Sequence, residues 1–281
     1  MGIFKNSEVG NYTETTIDSD DSFGTRTFAG FTTCYTGPGS ANIIGGTGVT
    51  FKLRGNSPEE MEIPGHRHMK MALGENPKRF YGSKGIAPWT RMGTGAMLRK
   101  QLQLAKNYSD ELIEAEKNGT AKPKWDMQLE ALVPVVRGEM KARIHAHRAD
   151  DIFTSIRIAR EFDIDITLDH CTDGALIADQ LAAEGLPAFV GPTMGKKSKI
   201  ELRNKSFETP GILNKAGVNI SIITDSPVIP LQNLPLCAGL AVKAGMDPFE
   251  ALKAIALYFN DVRGAAAMYA GDIALMFGIV L

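Results

Sequence analysis

Short runs of apolar and β-branched residues recur along the chain, each bounded by Gly, Pro, Asp or Asn. Such runs predict buried strands. The predicted strands lie at residues 31–36, 49–53, 69–73, 141–145, 164–169, 187–191 and 220–225. Most are apolar through their length rather than alternating with polar residues, which is typical of parallel strands covered on both faces.

Amphipathic segments separate the later strands and predict helices that cover the sheet. They lie at residues 93–117, 126–136, 150–162, 175–184, 235–244 and 248–258. From Lys141 onward the alternation is short and regular, which favours a TIM-like (β/α)8 barrel with parallel strands over an open sheet. A closed barrel has eight strands, so seven predict an incomplete one. We expect an irregular N-terminal segment (1–30), a barrel (31–260) and a C-terminal tail (261–281).

Composition narrows the class of protein. The chain has 281 residues, 43% of them hydrophobic and 22% charged, with a formal net charge of -1. These values are ordinary for a globular protein with a sizeable core. Charges are spread evenly, so neither a nucleic-acid partner nor a membrane surface is indicated. Cys34, Cys171 and Cys237 are far apart and odd in number, which favours a reducing, cytoplasmic compartment over a disulfide framework.

Candidate chemistry follows four of the predicted strands. In a (β/α) barrel the functional side chains lie at the carboxyl ends of the strands. Glu75, His145, His170 and Asp225 occupy such positions. Two imidazoles and a carboxylate can hold Zn²⁺ or a similar ion and leave a position open, and a further carboxylate can accept a proton. Taken singly, each histidine is as readily a structural residue as a ligand, and Asp225 before Ser-Pro is commonly a turn former. Four such residues at four strand ends together favour a functional site.

Other polar residues near these strand ends have open interpretations. His147 lies past its predicted strand, where it contacts substrate or hydrogen-bonds a neighbour. Lys78 and Arg79 either meet an acidic substrate or are solvated loop charges. The glycine-rich stretch 36–46 is interpreted as a tight loop, with a conformational role or as a cradle for a carboxylate or phosphate.

The pair His66 and His68 has the HxH spacing of a metal motif. The predicted strand 69–73 follows this pair, which places it at the opposite end of the barrel from the chemistry. We therefore interpret it as a solvated loop.

Together, several motifs resemble the amidohydrolase superfamily. They are TGPGSANIIGG, MKMALGENPKR, TRMG, RIHAHRADDI, ITLDH and ITDSP, and the similarity runs from about residue 8 to about residue 256. The nearest group is an imidazolonepropionase-related bacterial branch. The resemblance implies a metal-dependent (β/α)8 barrel that hydrolyses amide or other C–N bonds, often in rings.

Residue by residue, the resemblance implies specific roles. His145 and His170 match the histidine ligands of family strands 5 and 6. Asp225 matches the strand 8 aspartate, which binds metal or acts as general acid and base. Glu75 is similar in position to the ligand glutamate of the N-acetylglucosamine-6-phosphate deacetylase branch.

The chain also departs from the family pattern. It resembles the family only from beyond the strand 1 HxH pair, and it lacks the usual asparagine-proline-alanine helix start near its end. We therefore expect an amidohydrolase barrel truncated before strand 1, without the flanking β-sandwich. Its two open sheet edges would be covered by the N-terminal segment or by a second subunit in a homo-oligomer.

The leading hypothesis is a metal-dependent amidohydrolase that cleaves an amide or cyclic amide of a small molecule. A divalent ion, with zinc the favoured candidate, is expected on Glu75, His145 and His170, with Asp225 as general base. The alternative is a non-catalytic remnant of the fold that acts structurally or in oligomerisation. A dinucleotide-binding protein is disfavoured because its glycine fingerprint is missing.

Overall fold

The computed structural model describes residues 31–256. One curled sheet of seven strands organises this part of the chain, and its strand order follows the sequence from β1 to β7. The strands are β1 (Thr33–Thr36), β2 (Ile44–Lys52), β3 (Glu62–Ala72), β4 (Lys141–Ala146), β5 (Ile166–His170), β6 (Ala188–Val190) and β7 (Ile220–Ile222).

Strand direction changes along the sheet. β3 to β7 are parallel, but β1 pairs with β2, and β2 with β3, in antiparallel fashion. The expectation of an entirely parallel sheet was therefore wrong for the first two strands. The reason is connection length: residues 37–43 and 53–61 are too few for a crossover helix, which parallel neighbours require.

Helices cover the parallel part of the sheet. Those among the described residues are α1 (Pro58–Met61), α2 (Glu75–Gly82), α3 (Arg91–Asn118), α4 (Met127–Val136), α5 (Ala149–Phe162), α6 (Ala178–Glu184), α7 (Thr209–Lys215), α8 (Leu234–Lys243) and α9 (Pro248–Ala256). Three 3₁₀ turns join them, Gly174–Ile177, Ile200–Leu202 and Leu231–Asn233.

Local sequence explains the ends of the longest helix. The hydroxyl of Thr90 accepts the Gly93 N–H at the start of α3, and Gly119 closes it in the left-handed region at φ 64°. Both are standard helix boundaries, because a side-chain oxygen satisfies a free N–H and glycine adopts positive φ without strain. At 28 residues α3 is long enough to cross a bilayer, yet no described helix, α3 included, has the sustained apolar run that a membrane span requires.

The main core lies between the parallel strands and their helices. Met71, Leu98, Ile144, Leu168 and Ile220 are each no more than 1% exposed and belong to one continuous apolar cluster. This core anchors β3 to β7 in register, so that their carboxyl ends meet at one edge of the sheet. β1 and β7 do not pair with each other, and the seven described strands form an open half-barrel.

Several predicted boundaries differ from the structure. β3 begins seven residues earlier than predicted, at Glu62 rather than Met69, because β2 pairs with it along most of its length. Part of the glycine-rich stretch, from Ile44, belongs to β2 rather than to a loop. The helices α1, α2 and α7 were not predicted. The predicted segments 1–30 and 261–281 lie outside the described residues.

Candidate metal centre

Three imidazoles meet at the carboxyl edge of the parallel sheet. His145 is near the end of β4, His147 follows that strand, and His170 ends β5. Their ring centroids lie 4.4 to 4.7 Å apart, and one ligand nitrogen from each lies within 4.8 Å of the other two. All three are buried, between 3% and 5% exposed. This is the group of histidine, cysteine and acidic side chains in the described chain whose spacing suits one metal ion.

Neighbouring polar groups orient these rings. His170 Nδ1 is 2.6 Å from the carbonyl oxygen of Gly191, and His147 Nδ1 is 2.8 Å from Thr172 Oγ1. Because a carbonyl can only accept, His170 donates from Nδ1 and keeps its lone pair on Nε2. The Asn76 amide lies 3.3 Å from His145 Nε2. For His147 and His170, a hydrogen bond at one ring nitrogen is the usual way in which proteins orient a metal-binding histidine.

Electrostatics keep the cluster neutral. Burial lowers the pKa of His145 and of His147 well below the ordinary histidine value, and the neighbouring imidazole of His170 adds to the effect. Burial also lowers the pKa of His170, although Asp225 and Asp169 oppose this. At neutral pH all three rings are therefore uncharged, which is the state that ligates metal.

The donor set fits a divalent ion. Imidazole nitrogens suit zinc and other late transition metals, and three protein ligands with an open position are typical of catalytic sites. His145 Nδ1 is buried and makes no hydrogen bond to a described residue. A buried polar atom without a partner is costly, and a ligand in the cluster would relieve that cost.

Asp225 lies across the same cavity. It follows β7, is exposed to the cavity, and acts electrostatically on His170. Its backbone has φ 52°, and that of His170 has φ 78°, so both adopt the left-handed region. Strained backbone of this kind is uncommon outside glycine and concentrates at functional sites.

Not all predicted site residues join the histidines. Glu75 begins α2, and its backbone N–H donates to Glu201 Oε2 over 3.0 Å, while its own Oε2 is buried without a hydrogen bond to a described residue. Lys78 and Arg79 follow on the same helix. These three residues do not line the cavity, whereas His145, His147, His170 and Asp225 do.

Glu201 was missed by sequence reasoning. It lies in a 3₁₀ turn after β6, is 1% exposed, and its Oε1 faces His147 Nε2 at 3.8 Å and Lys199 Nζ at 3.6 Å. Burial raises its pKa. The position of Glu201 does not follow a strand end, because a long irregular loop brings it beside the histidines. The run of lysines before it was the available sequence signal for this loop.

A second polar layer lies beneath the histidines. Asp169 on β5 binds both Lys70 of β3 and Arg143 of β4, with Arg143 Nε 2.7 Å from Asp169 Oδ1. The Arg143 guanidinium carbon lies 4.2 Å from the ring centroid of Tyr35 and 3.9 Å from that of Phe189. Although burial alone would raise the pKa of Asp169, the charges of Arg143 and Lys70 hold it well below its usual range. We call Lys70, Arg143 and Asp169 the cationic floor.

The histidines, Asp225 and the cationic floor line one large cavity of about 1070 Å³. The glycine-rich loop before β2 contributes Gly37 to Ser40 to its wall. His66 and His68 are not part of the lining, and His68 is in register with Lys141, the first residue of β4. The HxH pair therefore lies toward the amino end of the parallel strands, inside β3 rather than in the loop that we expected.

Comparison with known proteins finds two amidohydrolases that are similar to this chain. The chain is 36% identical to an amidohydrolase of known structure from Thermotoga maritima MSB8, with a TM-score of 0.81 over 92% of this chain. It is also 26% identical over 253 residues to the amidohydrolase tasK of Hapsidospora irregularis. No family model matches the chain.

The chain spans only part of each relative. It covers 64% of the Thermotoga protein and 26% of the Hapsidospora protein. The sequence identity and the shared fold nevertheless extend over most of this chain. The resemblance to the amidohydrolase superfamily is thus confirmed: the chain is homologous to two proteins named amidohydrolases.

Proposed function

We propose that the protein is a metal-dependent hydrolase that cleaves an amide or cyclic amide bond of a small molecule. One observation carries the proposal: three buried, neutral imidazoles converge beside a carboxylate in a large cavity, at the carboxyl edge of a parallel sheet. The homology to amidohydrolases supports the reaction class.

His145, His147 and His170 are the proposed ligands, and zinc is the favoured ion for an all-nitrogen set. This assignment places His147 among the ligands, where the sequence left substrate contact or a hydrogen bond to a neighbour open, and it leaves out Glu75, which does not line the cavity. These histidines would hold a divalent ion, which would supply Lewis acidity toward a carbonyl oxygen and lower the pKa of water.

Asp225 is the proposed general base and acid. Its exposed carboxylate lies in the cavity near His170, so it can take a proton from the attacking water. The same proton then passes to the nitrogen that leaves as the C–N bond breaks. The products are a carboxylic acid and an amine, so atoms and charge balance over the reaction.

Glu201 and Asn76 are proposed positioning residues. Glu201 Oε1 faces both Lys199 and His147, and Asn76 contacts His145 while it accepts a hydrogen bond from Lys199. These contacts hold the cluster from α2 and from the loop after β6. Precise ligand orientation matters because the loss of such partners typically lowers metal affinity 10- to 100-fold.

The test is hydrolysis of a panel of N-acyl amino acids, lactams and hydantoins by the chain with and without added Zn²⁺. We expect turnover of at least one compound with Zn²⁺, its loss with a chelator, and its absence in His145→Asn. Turnover that persists unchanged in the chelated protein and in His145→Asn would contradict the proposal. A distant histidine variant, His66→Asn, is the matched control and should retain full activity.

A further inference from the structure

We propose that the cationic floor binds a carboxylate group of the substrate and thereby sets which amides the cavity accepts. This inference deepens the proposed function, because it concerns the same cavity. It rests on charge balance, on the geometry of Arg143 and on the distance between the floor and the histidines.

Charge balance is the first argument. Lys70 and Arg143 carry two positive charges, and Asp169 is the carboxylate that pairs with both among the described residues. The side chains of Lys70 and Arg143 are each only 8% exposed, so one positive charge remains in a nearly buried place. A buried charge without a counter-ion is costly. A single excess charge matches a carboxylate better than a phosphate dianion.

The second argument is the geometry of the guanidinium. The rings of Tyr35 and Phe189 both pack against the Arg143 guanidinium, and its Nε donates to Asp169. Its two terminal nitrogens make no hydrogen bond to a described residue, yet Arg143 lines the cavity. A fixed guanidinium with donors to spare is well suited to a carboxylate, which accepts two parallel hydrogen bonds.

Distance is the third argument. Arg143 precedes His145 by two residues on β4, and Lys70 is in register with Arg143. Two residues along a strand span about 6.6 Å. A substrate whose carboxylate and amide groups are about this far apart could therefore bind its carboxylate at the floor and present its amide bond to the histidines.

The rest of the cavity has the same charge preference. Lys196, Lys199 and Lys205, all from the loop after β6, line its wall together with the floor cations. Asp169 and Asp225 are the carboxylates in the described lining. The resulting positive field favours entry of an anion.

The experiment compares two probes that differ only in charge, 4-acetamidobutanoate and its neutral amide, 4-acetamidobutanamide. A chain of five bonds separates the acyl carbon from the carboxylate carbon, roughly the distance required. Dissociation constants are measured by calorimetry or NMR on the chelator-treated protein, so that the carboxylate cannot bind to a metal. Binding to this metal-free protein tests the floor separately from the hydrolytic activity.

We expect wild type to bind the carboxylate probe about tenfold more tightly than the neutral probe, since charge-assisted hydrogen bonds are stronger than neutral ones. Lys70→Met leaves Arg143 and Asp169 as a neutral pair and should reduce the ratio severalfold, so that only the weaker preference due to the wall lysines remains. Lys70→Arg keeps the charge and should keep the preference. Lys197→Met, which removes an exposed charge outside the cavity lining, is the matched control.

Two results would overturn the inference. Equal binding of the two probes by wild type would show that the floor does not select an anion. An undiminished preference in a folded Lys70→Met variant would place the selectivity elsewhere. Neither result would contradict the proposal of a metal-dependent hydrolase. Conversely, a protein that binds no metal but prefers the carboxylate probe would contradict that proposal and still support carboxylate binding at the cationic floor.

Discussion

His170 donates a hydrogen bond from Nδ1 to the carbonyl oxygen of Gly191 over 2.6 Å, and this contact determines which nitrogen faces the other two imidazoles. Gly191 has φ 137°, and a Cβ there would lie 2.3 Å from the carbonyl oxygen of Ile223. Only glycine fits such a position, so the packing of β6 against β7 places the carbonyl that orients His170.

Gly191→Ala should therefore weaken both the fold and the centre. The clash with Ile223 must displace the backbone, and we expect Zn²⁺ affinity to fall about 10- to 100-fold as His170 loses its orienting partner. Gly185→Ala is the control, because Gly185 also has positive φ but a Cβ there meets nothing within 4 Å. It should cost about 1 kcal/mol of stability and leave metal affinity unchanged. Equal affinities in the two variants would argue against the orienting role.

Acid should destabilise the metal-free protein through the buried histidines. Their pKa values are lowered in the folded state, whereas the unfolded chain protonates near the ordinary value of about 6.5. Below that pH the unfolded state binds more protons than the folded state. The free energy of unfolding therefore decreases as the pH is lowered, by up to about 1.4 kcal/mol per pH unit for each histidine that stays neutral in the folded protein.

Urea unfolding between pH 7.5 and pH 5.5 measures this slope. We expect His147→Gln to have a shallower slope than wild type by the contribution of about one proton, because its amide does not titrate. His66→Gln is the control and should change the slope less, because His66 is only half-buried and burial lowers its pKa less than that of His147. Identical slopes in wild type and His147→Gln would mean that His147 is not held neutral in the folded protein.

Sequence patterns predicted the parallel part of the fold because its strands and helices bury apolar residues at regular spacing. They also indicated His145, His170 and Asp225, since parallel strands bring their carboxyl ends to one edge. β1 and β2 were predicted as strands, but their antiparallel direction was not, because it depends on the lengths of the connections between β1, β2 and β3. The position of Glu201 depends on the path of an irregular loop. The entry of His147 into the cluster depends on the orientation of its ring. Neither follows from the periodicity of the sequence.

The charge balance of the cationic floor should affect the stability of the folded protein. Asp169→Asn would leave Lys70 and Arg143 facing each other without a counter-charge, and we expect a loss of about 3–5 kcal/mol. Lys70→Met leaves the pair of Arg143 and Asp169 intact, so its cost should be clearly smaller. Denaturant unfolding of both variants checks the order. A smaller loss in Asp169→Asn than in Lys70→Met would contradict the charge balance described for the floor.

Asp225→Asn should separate turnover from metal binding. Asparagine tolerates the left-handed backbone at this position, so the local fold should persist. The amide cannot accept the proton from water, and we expect kcat to fall by at least about 100-fold while Zn²⁺ affinity changes little. Unimpaired turnover would remove Asp225 from the proposed mechanism.

The metal content of the purified chain tests the central claim most directly. After equilibration with excess Zn²⁺ and removal of the free ion, we expect about one divalent ion per folded chain. His145→Ala, His147→Ala and His170→Ala should each lose stoichiometric binding, because two remaining imidazoles leave the ion mostly to water, whereas His66→Ala should bind as wild type does. A folded wild-type chain that stays free of metal under these conditions would contradict the account.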